Sequence, residues 1–466
     1  MQISILNGIY ASPDVDLRTS YPNNMMPVVK KTGISAGYLR PVEGITQFGT
    51  GLGIDRGGIV WRGVMYRVMG LWLVRIDSDG TCTEIGGVGG SGQVSFDYSF
   101  DRLAVAAAGR LFYYNGTTFS VLSDVDAGTV IDFVWVDGYF LMTDGTSLIV
   151  TEVNDPTAVN PLKYGSSERD PDDILGVLKL RGEVYALNRH TVEAFDNVGG
   201  DLFPFSRIEG AQLQKGVLGT HTACVFVDRI AFLGSGRNEP PAVWIGANGQ
   251  AEKLSTREID TILLDYTEAE LALVLVEARC LGGQELLYIH LPDKTLVYDY
   301  TASVGLEDQV WFILHSGLLE PTKYRARNFN YCYDQWICGD PDAARTGLMD
   351  SEIGSHYGEM VSWDFGTSIL YGEGRGAIIH ELELVALPGR YGSSDAPVIW
   401  TSYSLDGVTW SQERTCMPGR LGNRSQRINW LQQGMMRNFR IQKFRGTSDN
   451  HTSFLRLEAR VEGLNG

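Results

Sequence analysis

Residues 58–85 read GIVWRGVMYRVMGLWLVRIDSDGTCTEI, a run of short alternating bursts of β-branched and aromatic residues punctuated by Gly and Asp-Gly. Such residues fit a pleated, half-buried surface, and Gly or Asp-Gly between the bursts supplies turns, so the stretch predicts an antiparallel meander of three or four strands. The same composition returns at 94–123, with Asn115-Gly116, and at 130–153, with Asp137-Gly138 and Asp144-Gly145. Asx-Gly is the strongest short hairpin signal because both central residues of a tight primed turn need positive φ. Further units lie at 172–199, 220–255, 284–300 and 324–340. Their spacing rises from about 36 to about 56 residues, the repeat length of propeller blades and slightly beyond it. Radial repetition lets each small sheet bury both faces against its neighbours, and closure of the ring leaves only short edges exposed. The expected fold is therefore all-β, a β-propeller of roughly six to eight blades. A chain of two or three sandwich domains is the alternative.

One segment departs from the strand pattern. In STREIDTILLDYTEAELALVLVE (255–277), Ser255 precedes Glu258 by three residues and Thr267 precedes Glu270 likewise. Both pairs are capping-box spacings and predict two short helices parted near Asp265-Tyr266, with Ile259, Ile262, Leu263, Leu271 and Val274 turned inward. This short helical insertion reads as a connector between blades, or else as a contact with a partner. After about residue 355 the rhythm lengthens. The stretches 377–392, 397–418, 427–446 and 454–463 predict a C-terminal antiparallel β-sandwich-like module. The expected organisation is an N-terminal arm with first strands over 1–55, a propeller body over 56–354 and a C-terminal β-rich module over 355–466.

The chain has 466 residues, of which 44% are hydrophobic and 20% charged. No stretch approaches the roughly 20 apolar residues of a membrane span, and the N-terminus lacks the basic start and apolar run of a secretory signal, so neither is expected. Six scattered cysteines are expected to be buried thiols made in a reducing compartment. The net charge of −17 is uneven: residues 411–466 carry +6 and the first 410 carry −23. An acidic body repels duplex DNA over most of its surface, which argues against a general nucleic-acid binder, while the basic end could grip something acidic.

The chemical motifs are weak. SYSLDGVTW (402–410) nearly matches the Asp-box of sugar-cleaving propellers, but Asp406 abuts Gly407 and no other blade repeats it. Asp-Gly between alternating apolar residues reads as a hairpin turn. GGVGGSGQ (86–93) lacks the Lys-Ser/Thr of a phosphate loop, and DSDG (77–80) lacks the distal Glu of a calcium loop. No metal, cofactor or catalytic residues are expected. His290 and His315 sit in apolar strands and read as satisfied core histidines.

Four stretches taken in order, ISAGYLRPVEGI (34–45), GVGGSGQVSF (87–96), ELLYIHLPDKTLVYDY (285–300) and WICGDPDAARTGLMD (336–350), resemble the tail hub proteins of short-tailed bacteriophages. That family is also called the nozzle, tail accessory or packaged DNA stabilization proteins. The similarity extends through the paired capping-box spacings and the arginine-rich C-terminal strands. The resemblance implies a structural virion protein with a propeller body and no catalytic residues. It implies a homo-hexameric ring beneath the head-to-tail adaptor, extending the channel through which double-stranded DNA passes. Tail fibre or tailspike and needle or plug proteins are the implied partners. It places the protein in the virion tail after synthesis in the bacterial host cytoplasm. Within that reading, the expected grip on acidic adaptor or neighbouring surfaces is Arg414, Arg420, Arg424, Arg427, Arg437, Arg440, Lys443 and Arg445. A carbohydrate-active tail enzyme or glycan-binding propeller is the alternative.

Overall fold

The computed structural model describes the chain apart from residues 7–20, 31–34, 168–169, 201, 372–375, 389–396, 408 and 465–466. Of the stretches singled out above, Ile34, residues 389–392 and Val408 lie outside the described residues. The turn chemistry acts as its sequence suggests. Asp137 and Gly138 take φ of 49° and 89°, joining Asp132–Val136 to Tyr139–Thr143 in a tight hairpin. Where a strand lies in the middle of a blade it is covered on both sides, so alternation disappears, and Leu103–Ala107 is buried at every position.

Among the described residues, seven antiparallel sheets of four or five strands follow one another as blades. Six are contiguous, at 55–87, 95–121, 132–166, 174–207, 216–253 and 275–314. The innermost strand of each blade packs beside that of the next, and Arg327–Cys332 of the seventh returns to Asp55–Trp61 of the first, closing the ring. Seven blades fall within the expected range.

The seventh blade is not contiguous. Its outer strand is Gly44–Thr50, which runs antiparallel to Arg345–Asp350 with Ile45 opposite Met349. The rest of the N-terminal segment goes elsewhere: Gln2–Ile3 and Gly37–Pro41 both pair with Ser453–Gly463, and Met25–Val29 pairs with Gly37–Pro41. The described part of 1–55 is therefore no separate arm, because its strands are divided between the last blade and the C-terminal module.

That module is a sandwich. A seven-stranded sheet centred on Ala377–Leu387 and Ser453–Gly463 faces a five-stranded sheet centred on Phe439–Thr447. Between them lies a core of Leu39, Leu382, Leu457, Trp363, Phe365 and Phe444, with Trp363 and Phe454 rings 5.3 Å apart. The sandwich is held to the propeller through strand edges. Asn24 Nδ2 donates to the carbonyls of His315 (3.0 Å) and Ser362 (2.7 Å), and the Ile313 amide donates to the Pro22 carbonyl at 2.9 Å. The amides of Gly44 and Ile45 donate to the carbonyls of Ile353 and Ser355. The outer edges of blades six and seven are thus covered.

The connector from blade five to blade six carries α1 (Arg257–Leu264) and α2 (Glu268–Leu271), parted at Asp265. The second capping box forms as expected, Thr267 with Glu270. The first does not: Thr256, one residue on from Ser255, caps α1 by accepting from the Ile259 amide, while Ser255 Oγ bonds Asp260 Oδ1 at 2.6 Å. Ile259 and Leu263 are fully buried, worth about 1.5–3 kcal/mol each. A third helix, α3 (Tyr300–Leu306), follows directly on the strand Thr295–Asp299 and is capped by Asp299. It was not expected from sequence. Among the described residues no helix is long and apolar enough to cross a membrane. The six cysteines are free, but only Cys332 and Cys338 are buried and Cys280 is exposed, a correction to the expectation of buried thiols.

Candidate functional site

The propeller axis is built from carboxylates on the innermost strands. Asp97 Oδ2 accepts from the Trp135 amide at 2.6 Å, tying blade two to blade three. Asp132 Oδ2 accepts from Val177 at 2.9 Å, tying three to four, and Glu277 accepts from the amides of Asn328 and Phe329 (2.8 and 2.9 Å), tying six to seven. Closure from seven to one runs through Asn328 Nδ2, which donates to Asp55 Oδ2 at 2.6 Å. Asp55 Oδ1 accepts from Arg67 Nε at 2.7 Å, and both side chains are 0% exposed. The chain extends outward to Gln93, whose Nε2 donates to Asn328 Oδ1 at 2.6 Å. Polar groups bonded to one another occupy the middle of the ring. This network was not expected from sequence; its signal was an acidic residue near the start of four of the seven units, at 55, 97, 132 and 277.

Burial pushes the Asp132 carboxyl up to about 6 from an ordinary 3.8. The fold thus favours the protonated form. The stabilisation tied to that preference is fully present below about pH 4 and is lost as the pH rises through about 6. The shift corresponds to about 3 kcal/mol at most. Asp132→Asn removes the titration, so the native chain is expected to lose stability relative to the variant as pH rises from 4.5 to 7.5. Urea unfolding at the two pH values checks this, and a difference that stays constant would refute it.

On the face that carries the connectors between blades, the axis opens into a pocket of about 690 Å³. Its wall takes residues from nearly every junction, among them Ile54, Gln93, Ile131, His221, Leu273 and Tyr324. Lys323 and Arg327 also line it, against a single lining carboxylate among the described residues, Glu270. Glu270 Oε2 is occupied by the amide and hydroxyl of Thr267. Burial pulls the His221 imidazole down to about 4, leaving it neutral near pH 7. His290 is satisfied, with Nε2 at 2.8 Å from Glu277 Oε1 and Nδ1 at 2.9 Å from Thr295 Oγ1.

The eight basic candidates do not form one patch. Arg440 is contradicted as a contact residue: it is 0% exposed, donates to Gln442 Oε1 and to the Gln433 carbonyl, and stacks 3.8 Å over Tyr403. Burial without a carboxylate pulls its guanidinium down to about 10. Three more are held by acids of the same module or its edge. Arg427 pairs with Glu381 (3.1 Å) and Glu383 (2.5 Å), Arg445 is bidentate to Glu413 at 2.5 Å, and Lys443 lies 3.5 Å from Asp364. Arg414 donates to the carbonyls of Leu431 and Gln432. Among the described residues, Arg420, Arg424 and Arg437 are exposed and make no side-chain hydrogen bond or ion pair. They sit apart. Arg420 and Arg424 lie on the loop before Asn429, which pairs with Glu383, whereas Arg437 follows Met436, which pairs with Ala377 towards the other end of the same long strand.

The Asp-box-like stretch is a hairpin turn. Gly407 has φ of 76°, Asp406 Oδ1 accepts from the Thr409 amide at 2.7 Å, and Ser404 bridges antiparallel to Trp410. Among the described residues no cluster of three or more His, Cys, Asp or Glu could hold a metal ion.

Residues 1–354 match the family profile described as bacteriophage P22 Gp10, β-propeller, and residues 362–462 match the profile for its β-sandwich. The chain belongs to the bacteriophage P22 Gp10 family. It is 29% identical over 437 residues to the tail hub protein gp10 of Salmonella phage P22, covering 89% of each chain. Solved structures with partial overlap include the WD40 domain of Neurospora crassa Pan2, at 11% identity and a TM-score of 0.42 over 66% of this chain and 95% of that one. BamB of Moraxella catarrhalis overlaps at 12% identity and a TM-score of 0.39, over 75% and 97%. As a Gp10 family member the chain is a tail hub protein of the packaged-DNA-stabilising kind, placed in the virion tail, in a structural family not known for enzymes.

Proposed function

We propose that six copies of this Gp10-like hub form a ring below the head-to-tail adaptor. The ring extends the DNA channel, helps retain the packaged genome, and seats the needle or fibres used in ejection. The observation that carries this reading is the match to both family profiles in order along one chain. The charge distribution supports it: a body of −23 facing the DNA path repels phosphate, so the duplex moves without adhering. Of the eight candidates, Arg420, Arg424 and Arg437 are the ones unpaired among the described residues, left to meet acidic surfaces of the adaptor or a neighbouring copy.

The test is assembly. Purified chain, alone and mixed with adaptor rings, is expected to form rings on negative-stain grids, and a chain that stays monomeric with adaptor present would overturn the proposal. Replacing Arg420, Arg424 and Arg437 together by Glu should weaken assembly at least about tenfold. Each exposed charge contributes only about 0–1 kcal/mol, but the contact recurs in every copy of a ring. Sedimentation with adaptor rings measures it; unchanged sedimentation would remove these residues from the interface.

A further inference from the structure

The axial pocket has a charge opposite to that of the body around it. Arg327 enters no ion pair among the described residues; its guanidinium donates to the Asp55 carbonyl, and its Nε is buried without a partner. Lys323 has only a loose 3.6 Å contact with Asp342. The lining Glu270 is already committed to the cap of α2. The pocket is thus cationic within a strongly acidic chain, and a half-buried guanidinium with free donors favours an anionic partner.

Behind this wall runs the buried polar network of the ring. The Asp55 carboxylate can only accept, so Asn328 must present Nδ2 to it and Oδ1 to Gln93. Gln93 must then give Nε2 to Asn328, which fixes its Oε1 as a buried acceptor without a donor. Gln93 Oε1 and Arg327 Nε thus lie behind the surface, and the cations the pocket presents are Lys323 and the remaining Arg327 donors. Around them stand aliphatic side chains on separate connectors. Leu273 is 86% exposed, Ile54 42% and Ile131 39%, with Leu291, Pro292 and Pro341 completing the apolar wall. At about 690 Å³ the pocket lies within the range of ligand sites.

We propose that the axial pocket receives an acidic peptide segment of a partner protein, with a carboxylate at Lys323 and Arg327 and aliphatic side chains against the Ile54, Ile131 and Leu273 rim. The proposal rests on the tail-hub reading only for where such a partner is found. The full-length protein is titrated into a fluorescein-labelled Leu-Glu-Leu-Asp-Leu amide and its Gln/Asn counterpart, followed by anisotropy. The acidic peptide is expected to bind saturably with Kd below about 1 mM, and its neutral counterpart at least about tenfold more weakly. Arg327→Gln and Lys323→Gln should each weaken binding at least about fivefold. Lys323→Gln is decisive because Lys323 stands on an exposed connector outside the buried network. Absence of saturable binding, equal binding of the neutral peptide, or indifference to Lys323→Gln would each sink the idea. Displacement by free glutarate as effectively as by unlabelled peptide would assign the pocket to a small dicarboxylate instead, and preferential displacement by a single-stranded oligonucleotide would assign it to nucleic acid; both overturn the peptide. Ring formation scored on the same samples separates this outcome from that of the tail-hub proposal.

Discussion

A chain beginning at residue 51 is expected to show no cooperative unfolding transition and to aggregate on expression. The deletion removes Gly44–Thr50, without which Arg345–Asp350 loses its outer neighbour and blade seven is left three-stranded. It also removes three strands from the larger sheet of the sandwich. The buried side chains lost include Ile3, Met25, Leu39 and Ile45, all 4% exposed or less. Losing each costs about 2–5 kcal/mol, so four together approach or exceed the 5–15 kcal/mol that holds a typical domain folded. Circular dichroism during thermal denaturation tests this. A sharp melt with native-like β signal in the truncated chain would mean that ring closure and sandwich do not depend on these strands.

The second large effect concerns the axis. Asp55→Ala leaves the Arg67 guanidinium buried without its carboxylate and Asn328 Nδ2 without its acceptor. Breaking a buried pair on one side costs about 3–5 kcal/mol, because the remaining charge keeps its desolvation penalty and loses its partner. Asp55→Ala combined with Arg67→Met removes both charges and is expected to recover more than half of that loss, since the methionine fills most of the vacated volume. Urea denaturation of the two variants gives the comparison. A double variant no more stable than Asp55→Ala would show that the Arg67 contacts to Asn330 Oδ1 and the Asn328 carbonyl, rather than the ion pair, carry the energy.

Local structure was readable where local chemistry decides it. Asp137-Gly138 and the Thr267–Glu270 cap lie within a few residues of their partners, and both formed as their sequences suggest. The fate of Gly44–Thr50 was not readable: an alternating strand near the start of a chain carries no mark of a partner 300 residues away. Thr256 displaced Ser255 as a cap because Ser255 Oγ was claimed by Asp260, a choice one residue wide. Arg440 is instructive among the site residues. On the strand Phe439–Thr447 it shares the face of Gln442 and Phe444, which are buried, whereas Lys443 and Arg445 take the other face. Parity with Phe444 pointed Arg440 inward; its charge alone suggested the surface. The pocket lay beyond sequence reading, since its lining comes from connectors brought together only when the ring closes.

The pairing of Gln2–Ile3 with Leu457 and Glu458 bears on timing during synthesis. The Met1 amino group donates to the Ala459 carbonyl across 458 positions. At about 5–20 residues per second a ribosome needs roughly 20–90 s to cover that distance. Throughout that interval Gln2–Ile3 has no mate, while the six contiguous blades can take shape as they emerge. Nascent chains therefore carry blades but no finished sandwich, and a surface made by the sandwich becomes available for assembly only after translation has passed Glu458.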